Sequence, residues 1–583
     1  MSAMNIGSPD PRARPAGGAD ARTKRLTLLA CVLGSTIVMI DGSVVNVALP
    51  SIRGDLGGGL AGQQWVTNAY LLTLGSLLLV AGSLGDVLGE RRVFLLGVAG
   101  FGVTSVLCAL APTIEVLVVG RALQGAAGAA LTPAALAVIV ATFDASERNR
   151  AIGTWTAWGG IGAAVGPVLG GWLVDVASWH WVFLINVPLV LGTLVLIARV
   201  IPRPAAAGPG APSTPARRLD LPGALLCALG LGGITFGLIQ QPLSGWGAPD
   251  VVGPLVAGVL LLAVFVAYED RTADPMLPLG LFRRRNFVVG NVETFVMYGG
   301  LSLLSFYLVI FLQQVAGWEA LEAGAALLPV TAVMLVAAGR FGGLADRYGP
   351  RFFMGVGPLV AGSGLLLLLR MDADVSYVTD LLPAVALFAL GLSMTVAPLT
   401  ATVLADAEAR NAGAASGVNN AIARVAGLVA IAGVGVVVAS SFAGDVDARL
   451  GDRPLSAAGE RSAAALRDGA FSRPDVAGVP ADEAAALREA ARGASVESFR
   501  VGMGISGGLV ILGGLVGAAG IRNPRREVAS ADCGGGQWTG QPCDAANPEA
   551  TGDGPAAGDA RADASPVATG VGASGVDGGR PLG

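Results

Sequence analysis

Four ionisable side chains fall in stretches that are otherwise apolar: Asp41, Arg121, Glu293 and Arg424. A charge at the centre of a bilayer costs about 2.5–3.5 kcal/mol even on the lenient insertion scale, so each must face protein and find a partner. Asp41 stands in Met39-Ile40-Asp41-Gly42-Ser43-Val44-Val45-Asn46-Val47-Ala48-Leu49-Pro50, nine residues before the proline. At 1.5 Å per residue this is roughly 14 Å from the end of its apolar run, and Arg121 lies about 10 Å into its own. Opposite charges at one level in low dielectric attract strongly. Burial favours the neutral carboxyl and the arginine favours the charged one, so Asp41 is a candidate to load and release a proton. The residues leave two other readings open, a permanent ion pair and an arginine reaching out to the interface. Glu293 lies about 9 Å and Arg424 about 18 Å into their runs. Glu293 reads as a second proton or cation-substrate site, or as a partly hydrated carboxylate, with Arg424 as its partner. Asn46, Gln124 and Arg424 are the polar candidates for lining a substrate cavity.

Two glycine patterns say how such charges are positioned. Gly162, Gly166 and Gly170 recur every four residues in Gly162-Ala163-Ala164-Val165-Gly166-Pro167-Val168-Leu169-Gly170-Gly171. Such a stripe lets another helix approach closely, and Pro167 removes a backbone hydrogen bond and favours a kink. The combination suits a hinge; plain helix packing explains the glycines but not the proline. The second pattern occurs twice. Gly82-Ser83-Leu84-Gly85-Asp86-Val87-Leu88-Gly89-Glu90-Arg91-Arg92 follows the second apolar run, and Gly342-Gly343-Leu344-Ala345-Asp346-Arg347-Tyr348-Gly349-Pro350-Arg351 follows the tenth. An aspartate at a helix carboxyl end is disfavoured by the dipole and needs a cation. Arg91 or Arg92 can supply one, and Gly89 permits the reversal. The pair of loops reads as an ionic latch that breaks when the protein opens; a tight turn with a capping aspartate is the plainer reading.

Residues 82–92 resemble the signature of the major facilitator superfamily throughout, and the second copy matches more loosely because of Pro350. The resemblance covers 26 to about 521. It implies an all-α polytopic fold of two six-helix halves, here with two inserted helices. It implies a proton-transfer role for Arg121 in the fourth helix. The stretch from Asp41 through Asn46 to Pro50 is similar to the signature of the fourteen-helix drug:proton antiporter branch. The fifth-helix glycine–proline pattern resembles the motif that marks exporters rather than importers.

The rest of the chain agrees with a membrane carrier. Of 583 residues, 53% are hydrophobic and 14% charged, with mean hydropathy +0.65; soluble domains carry about 25% charged residues. Lys24 is the sole lysine and has no phosphate-loop context, so an ATP-driven pump by that route is excluded. No Cys/His cluster has zinc spacing and no nucleophile–base constellation is visible, so no metal, cofactor or enzymatic activity is expected. The cluster Trp179-His180-Trp181 reads as an interfacial anchor.

A ruler of about 20 apolar residues per span gives fourteen candidate helices. They lie near 26–50, 64–84, 93–111, 114–142, 152–174, 181–200, 220–240, 250–268, 287–313, 321–343, 352–370, 378–404, 412–441 and 499–521. Arginine collects in alternate short loops, which places both termini in the cytoplasm of a cell whose inner membrane holds the chain. The divisions expected are a disordered 1–25, a first half over 26–200 and a linker with two inserted helices over 201–286. A second half covers 287–521, with 442–497 as an extracytoplasmic loop carrying a short surface helix from Pro480, and 522–583 is a disordered tail. The function these readings imply is proton-driven export of a hydrophobic or amphipathic compound by a monomer in the lipid bilayer, with no nucleic-acid partner. A proton-coupled importer and a non-transporting receptor on the same fold are the rivals.

Overall fold

The computed structural model describes residues 20–201, 220–272, 275–405, 412–451, 453–467, 469–523, 527–528 and 543–544. The first half contains α1 (Ala21–Leu56), α2 (Gly59–Leu88), α3 (Glu90–Ala109), α4 (Ile114–Thr142), α5 (Ala145–Val176) and α6 (Asn186–Val200), with a one-turn helix Trp181–Leu184 leading into the last. The insert is α7 (Leu221–Ser244) and α8 (Pro249–Glu269). The second half contains α9 (Arg285–Leu303, continued by a π turn Leu304–Leu308 and Val309–Gln314), α10 (Leu328–Tyr348, preceded by Ala320–Ala325), α11 (Pro350–Leu367), α12 (Leu382–Ala405), α13 (Ala412–Leu450) and α14 (Ala481–Gly520). Thirteen of these segments are long and apolar enough to cross a membrane, and the thirty-residue α2 makes the fourteenth helix of spanning length.

Two faces of the bundle can be told apart. The face where α1 begins and α14 ends is called here the terminal face, and the opposite one the far face. On the terminal face the sole lysine ties α1 to α5: the Lys24 ammonium reaches Asp144 at 2.7 Å and Glu147 at 2.6 Å, which holds the Asp144 carboxyl below the usual carboxylate range. The repeated loops lie on this face as equivalent turns, with Gly89 at φ +86° and Gly349 at φ +87°, backbone that favours glycine. The arginines after them do the same work in each half. Arg91 donates to the Ile201 carbonyl at 2.8 Å and Arg351 to the Ala518 carbonyl at 2.6 Å, a cation at the carboxyl end of each half's last helix. Arg92 and Arg347 are exposed. The side chains of Asp86 and Asp346, and the surroundings of Gly82, lie outside the described residues.

The insert packs α7 against α8, with α7 also touching α2 and α13, one helix from each half. Its two ends meet over Gly223. Asp220 accepts from the Gly223 amide at 2.9 Å and Glu269 from the Leu277 amide at 2.9 Å.

The segment 442–497, expected as a loop, is folded instead. The 39-residue α13 and 40-residue α14 each extend about 60 Å at 1.5 Å per residue, twice the hydrocarbon thickness of about 30 Å. They project from the far face and, with the helix Ala457–Arg467, form a cap. Phe442, Val446 and Leu450 on one projecting end and Leu487, Ala490 and Ala494 on the other are buried, as are Ala463 and Leu466. Helix α1 likewise runs past Pro50 to Leu56. Residues 1–19, and most of 523–583, lie outside the described residues; the tail forms a unit of its own, in which β1 (Glu527–Val528) pairs antiparallel with β2 (Cys543–Asp544).

Candidate functional site

Asp41 and Arg121 meet inside the first half. The guanidinium donates to Asp41 Oδ2 at 2.5 Å, and both residues are almost wholly buried, at 0% and 1% exposure. Helix α1 presents Asp41 about 20 residues from its start, and α4 presents Arg121 in its second turn. The guanidinium makes further contacts through Nε and Nη1. Arg121 Nε donates to the Val66 carbonyl at 3.1 Å and Nη1 also to Gln124 Oε1 at 2.7 Å. The guanidinium carbon lies 4.1 Å from the centre of the Tyr70 ring, a cation–π contact that holds its plane.

The other carboxylate oxygen is held by amides. Gln124 Nε2 and Asn186 Nδ2 each donate to Asp41 Oδ1 at 3.0 Å, and both also donate to Ser105 Oγ, at 2.8 and 3.2 Å. Four helices, α1, α3, α4 and α6, thus converge on one aspartate. Ser105, Asn186 and Tyr70 were not singled out from the sequence. Asn186 had a usable signal, since it is the one amide in the apolar run of α6.

Gln124, expected at the substrate cavity, belongs to this buried network. Its position one turn from Arg121 on α4 places it over Asp41. Asn46 is half-buried on α1. Arg424 is half-buried on α13 and faces the first half. A β-carbon placed on Gly75 would meet Arg424 Cβ at 3.2 Å. The expected pairing of Arg424 with Glu293 does not form. Glu293 turns the other way, toward α14, where its Oε2 lies against Gly517. It is fully buried, and neither oxygen has a hydrogen-bond partner among the described residues. Nearby, Asn419 on α13 donates to Asn291 at 3.1 Å and Thr294 at 2.7 Å on α9.

The fifth-helix glycines have two faces. A β-carbon on Gly162 would strike Thr36 at 2.7 Å, one on Gly166 would strike Ser43 and come within 3.1 Å of the Ile40 carbonyl, and one on Gly170 would lie 2.6 Å from Val44. These three seat α5 on α1, on the helix side next to Asp41. Gly171 points away, into the second half, where a β-carbon would be 2.5 Å from the Ala320 carbonyl and the Leu321 α-carbon. Gly324 in turn sits against the Pro167 carbonyl. Asp175, at the end of α5, completes the contact by accepting the amides of Ala320 at 3.1 Å and Leu321 at 2.8 Å. A carboxylate from one half therefore caps a helix of the other.

Further contacts close the seam between halves toward the far face. Gln313 donates to the Val47 carbonyl at 2.9 Å, Arg53 to Gln314 Oε1 at 3.1 Å, and Gln64 to the Tyr307 hydroxyl at 3.2 Å and the Ile431 carbonyl at 3.1 Å.

Comparison with known proteins gives this geometry its context. Residues 31–431 match the family model described as Major Facilitator Superfamily. The chain is 36% identical over 487 residues to the tetracenomycin C resistance and export protein of Streptomyces glaucescens, covering 82% of this chain and 88% of that one. It is 38% identical over 413 residues to a puromycin resistance protein of Streptomyces alboniger, covering 70% and 80%. Among solved structures, a bacterial homologue of the human lysosomal transporter Spinster, inward-facing and unoccupied, superposes with a TM-score of 0.60. That match has 18% identity and covers 87% of this chain and all of the other, so it speaks to the fold alone.

Proposed function

This chain is a member of the major facilitator superfamily, and we propose that it is a proton-driven exporter of hydrophobic or amphipathic compounds. The curated relatives are named for antibiotic resistance and export, which supports the direction of transport. The observation that carries proton coupling is the Asp41–Arg121 pair, an isolated carboxylate held in the middle of a six-helix half by one cation and two amides. No other driving group is needed: one charge crossing the membrane yields about 2.3 kcal/mol per 100 mV. In this reading the far face is the outside and both termini are cytoplasmic in the inner membrane.

The chemistry of the step is simple. A proton arriving at Asp41 removes its charge and breaks the ion bond to Arg121, which keeps the Val66 carbonyl, Gln124 Oε1 and the Tyr70 face. Helix α1 is then released from α4. Because α1 is seated on the α5 glycine stripe, the two move together. The opposite face of α5 carries Gly171 and Asp175, which clasp the second half at the far-face seam. Protonation inside one half is thereby linked to the contact between halves.

Asp41→Asn tests this. The amide keeps the size and one acceptor, so the variant should insert and fold, while substrate-dependent proton movement in proteoliposomes and efflux in pump-deficient cells should vanish. Coupled efflux at the wild-type rate would remove Asp41 from the mechanism and leave the pair as a structural one.

A further inference from the structure

Phe471 is the one described residue other than glycine with positive φ, at +60°. It occupies the third position of a turn closed by Ser472 N donating to the Gly469 carbonyl at 2.8 Å. Turns with positive φ at that position normally use glycine or asparagine, because a β-carbon there crowds the backbone. A bulky aromatic persists in such backbone only where its surroundings over-determine it. Here the ring is 1% exposed and lies 6.1 Å from the Tyr307 ring.

The turn sits on the far-face junction of the two halves. On one side of Phe471, Arg53 of the first half donates to the Ala470 carbonyl at 3.2 Å as well as to Gln314 of the second. On the other side, Arg473 donates to the Gln314 carbonyl at 3.3 Å. Beneath the ring, the Tyr307 hydroxyl accepts from Gln64, which also reaches Ile431. A line of contact thus runs from the cap through Phe471 and Tyr307 to Gln64, the residue that bridges α2 to α13.

We infer that the turn Gly469–Ser472 is a plug for the seam between the halves, with Phe471 as its seat, and that it lifts whenever the halves part at the far face. The strained backbone and the buried ring oppose one another. The ring holds the plug down, and the backbone gains when it lifts. The plug therefore closes the seam reversibly. The inference rests on the export reading for its purpose but not for its test, which needs neither substrate nor proton gradient.

The reporter is Ile431→Cys, a buried position whose backbone carbonyl, the Gln64 acceptor, is unchanged by the substitution. Labelling of the full chain in lipid nanodiscs by a membrane-impermeant maleimide, read on the peptide by mass spectrometry, reports opening of the seam. In the background of Phe471→Gly, which relieves the backbone and removes the ring, labelling should quicken about tenfold or more. Phe471→Leu, which keeps an apolar seat, should stay close to the parent. Equal labelling in all three, with folding verified by thermal melting, overturns the plug. A measurement without variants stands behind it. Hydrogen exchange of the native chain should show the Ser472 amide opening more readily than amides of the adjoining ends of α13 and α14. Equal protection there overturns it too. Loss of proton coupling in Asp41→Asn with an intact labelling response, or the reverse, separates the two claims.

Discussion

The carboxylate of Asp41 has one oxygen on arginine and the other on two amides, and these two sides need not matter equally. Asn186 reaches Asp41 and Ser105 from α6, and its own Oδ1 has no partner among the described residues, so removing its side chain subtracts two hydrogen bonds and leaves the ion pair. A hydrogen bond inside a membrane protein averages about 0.6 kcal/mol and reaches about 1.7 kcal/mol. Asn186→Leu should therefore fold with a loss of stability in that range, seen by thermal melting. Because Asn186 helps to hold the Asp41 carboxylate in place, substrate-dependent proton movement in proteoliposomes should fall. Proton movement at the wild-type level would make Asn186 a packing residue. The ion pair itself was legible from depth, since Asp41 and Arg121 stand at similar levels inside the apolar runs of the first half. Its polar shell was not. Ser105 and Asn186 are uncharged, and nothing in their spacing says which neighbour they turn to. Depth also misled in the second half. Glu293 and Arg424 differ by about 9 Å in depth, a gap that an arginine side chain can span in part, but rise along a helix does not fix direction around it. One faces α14 and the other faces α2.

At the scale of elements, α5 works as a rod between two partners, and its glycines divide the work. Gly166 and Gly170 hold it to α1, whereas Gly171 holds it to the second half. Gly171→Ala sets a methyl against backbone that cannot give way, so it should hold the far-face seam apart while leaving the α1–α5 contact intact. Gly170→Ala should instead loosen α5 from α1 and weaken coupling with the seam closed. Maleimide labelling of Ile431→Cys distinguishes them, fast in the first and slow in the second; identical labelling in both would deny that α5 has two separate faces. The stripe was readable as a close contact from its four-residue period, but its partners were not, because a glycine carries no mark of what approaches it. The number of helices followed from run length. The cap did not, since α13 and α14 leave the apolar regime before they end. Phe442, Val446 and Leu450 keep a four-residue spacing past that point, which is the signature of a helix packing against protein rather than lipid.

For the whole molecule, the two halves are bonded across the far-face seam by polar contacts laid over apolar packing, and Asp175 supplies one of the charged ones. Its carboxylate accepts both free amides at the start of Ala320–Ala325, a helix amino end that attracts negative charge by about 0.3–1 kcal/mol when exposed. Asp175→Asn retains one acceptor and removes the charge. The population with the seam parted should then grow by a factor of about two to five, the ratio that this energy sets. Spin labels at Val176 and Val378, both exposed on this side of the two halves, would show it as added weight at longer distance in an electron–electron resonance measurement. Because the same seam must part for export, efflux should change with it, and it should change even where Asp41 and its shell are untouched. An unaltered distance distribution would mean that apolar packing at Gly171 and Gly324 closes the seam alone, and that the aspartate only decorates it.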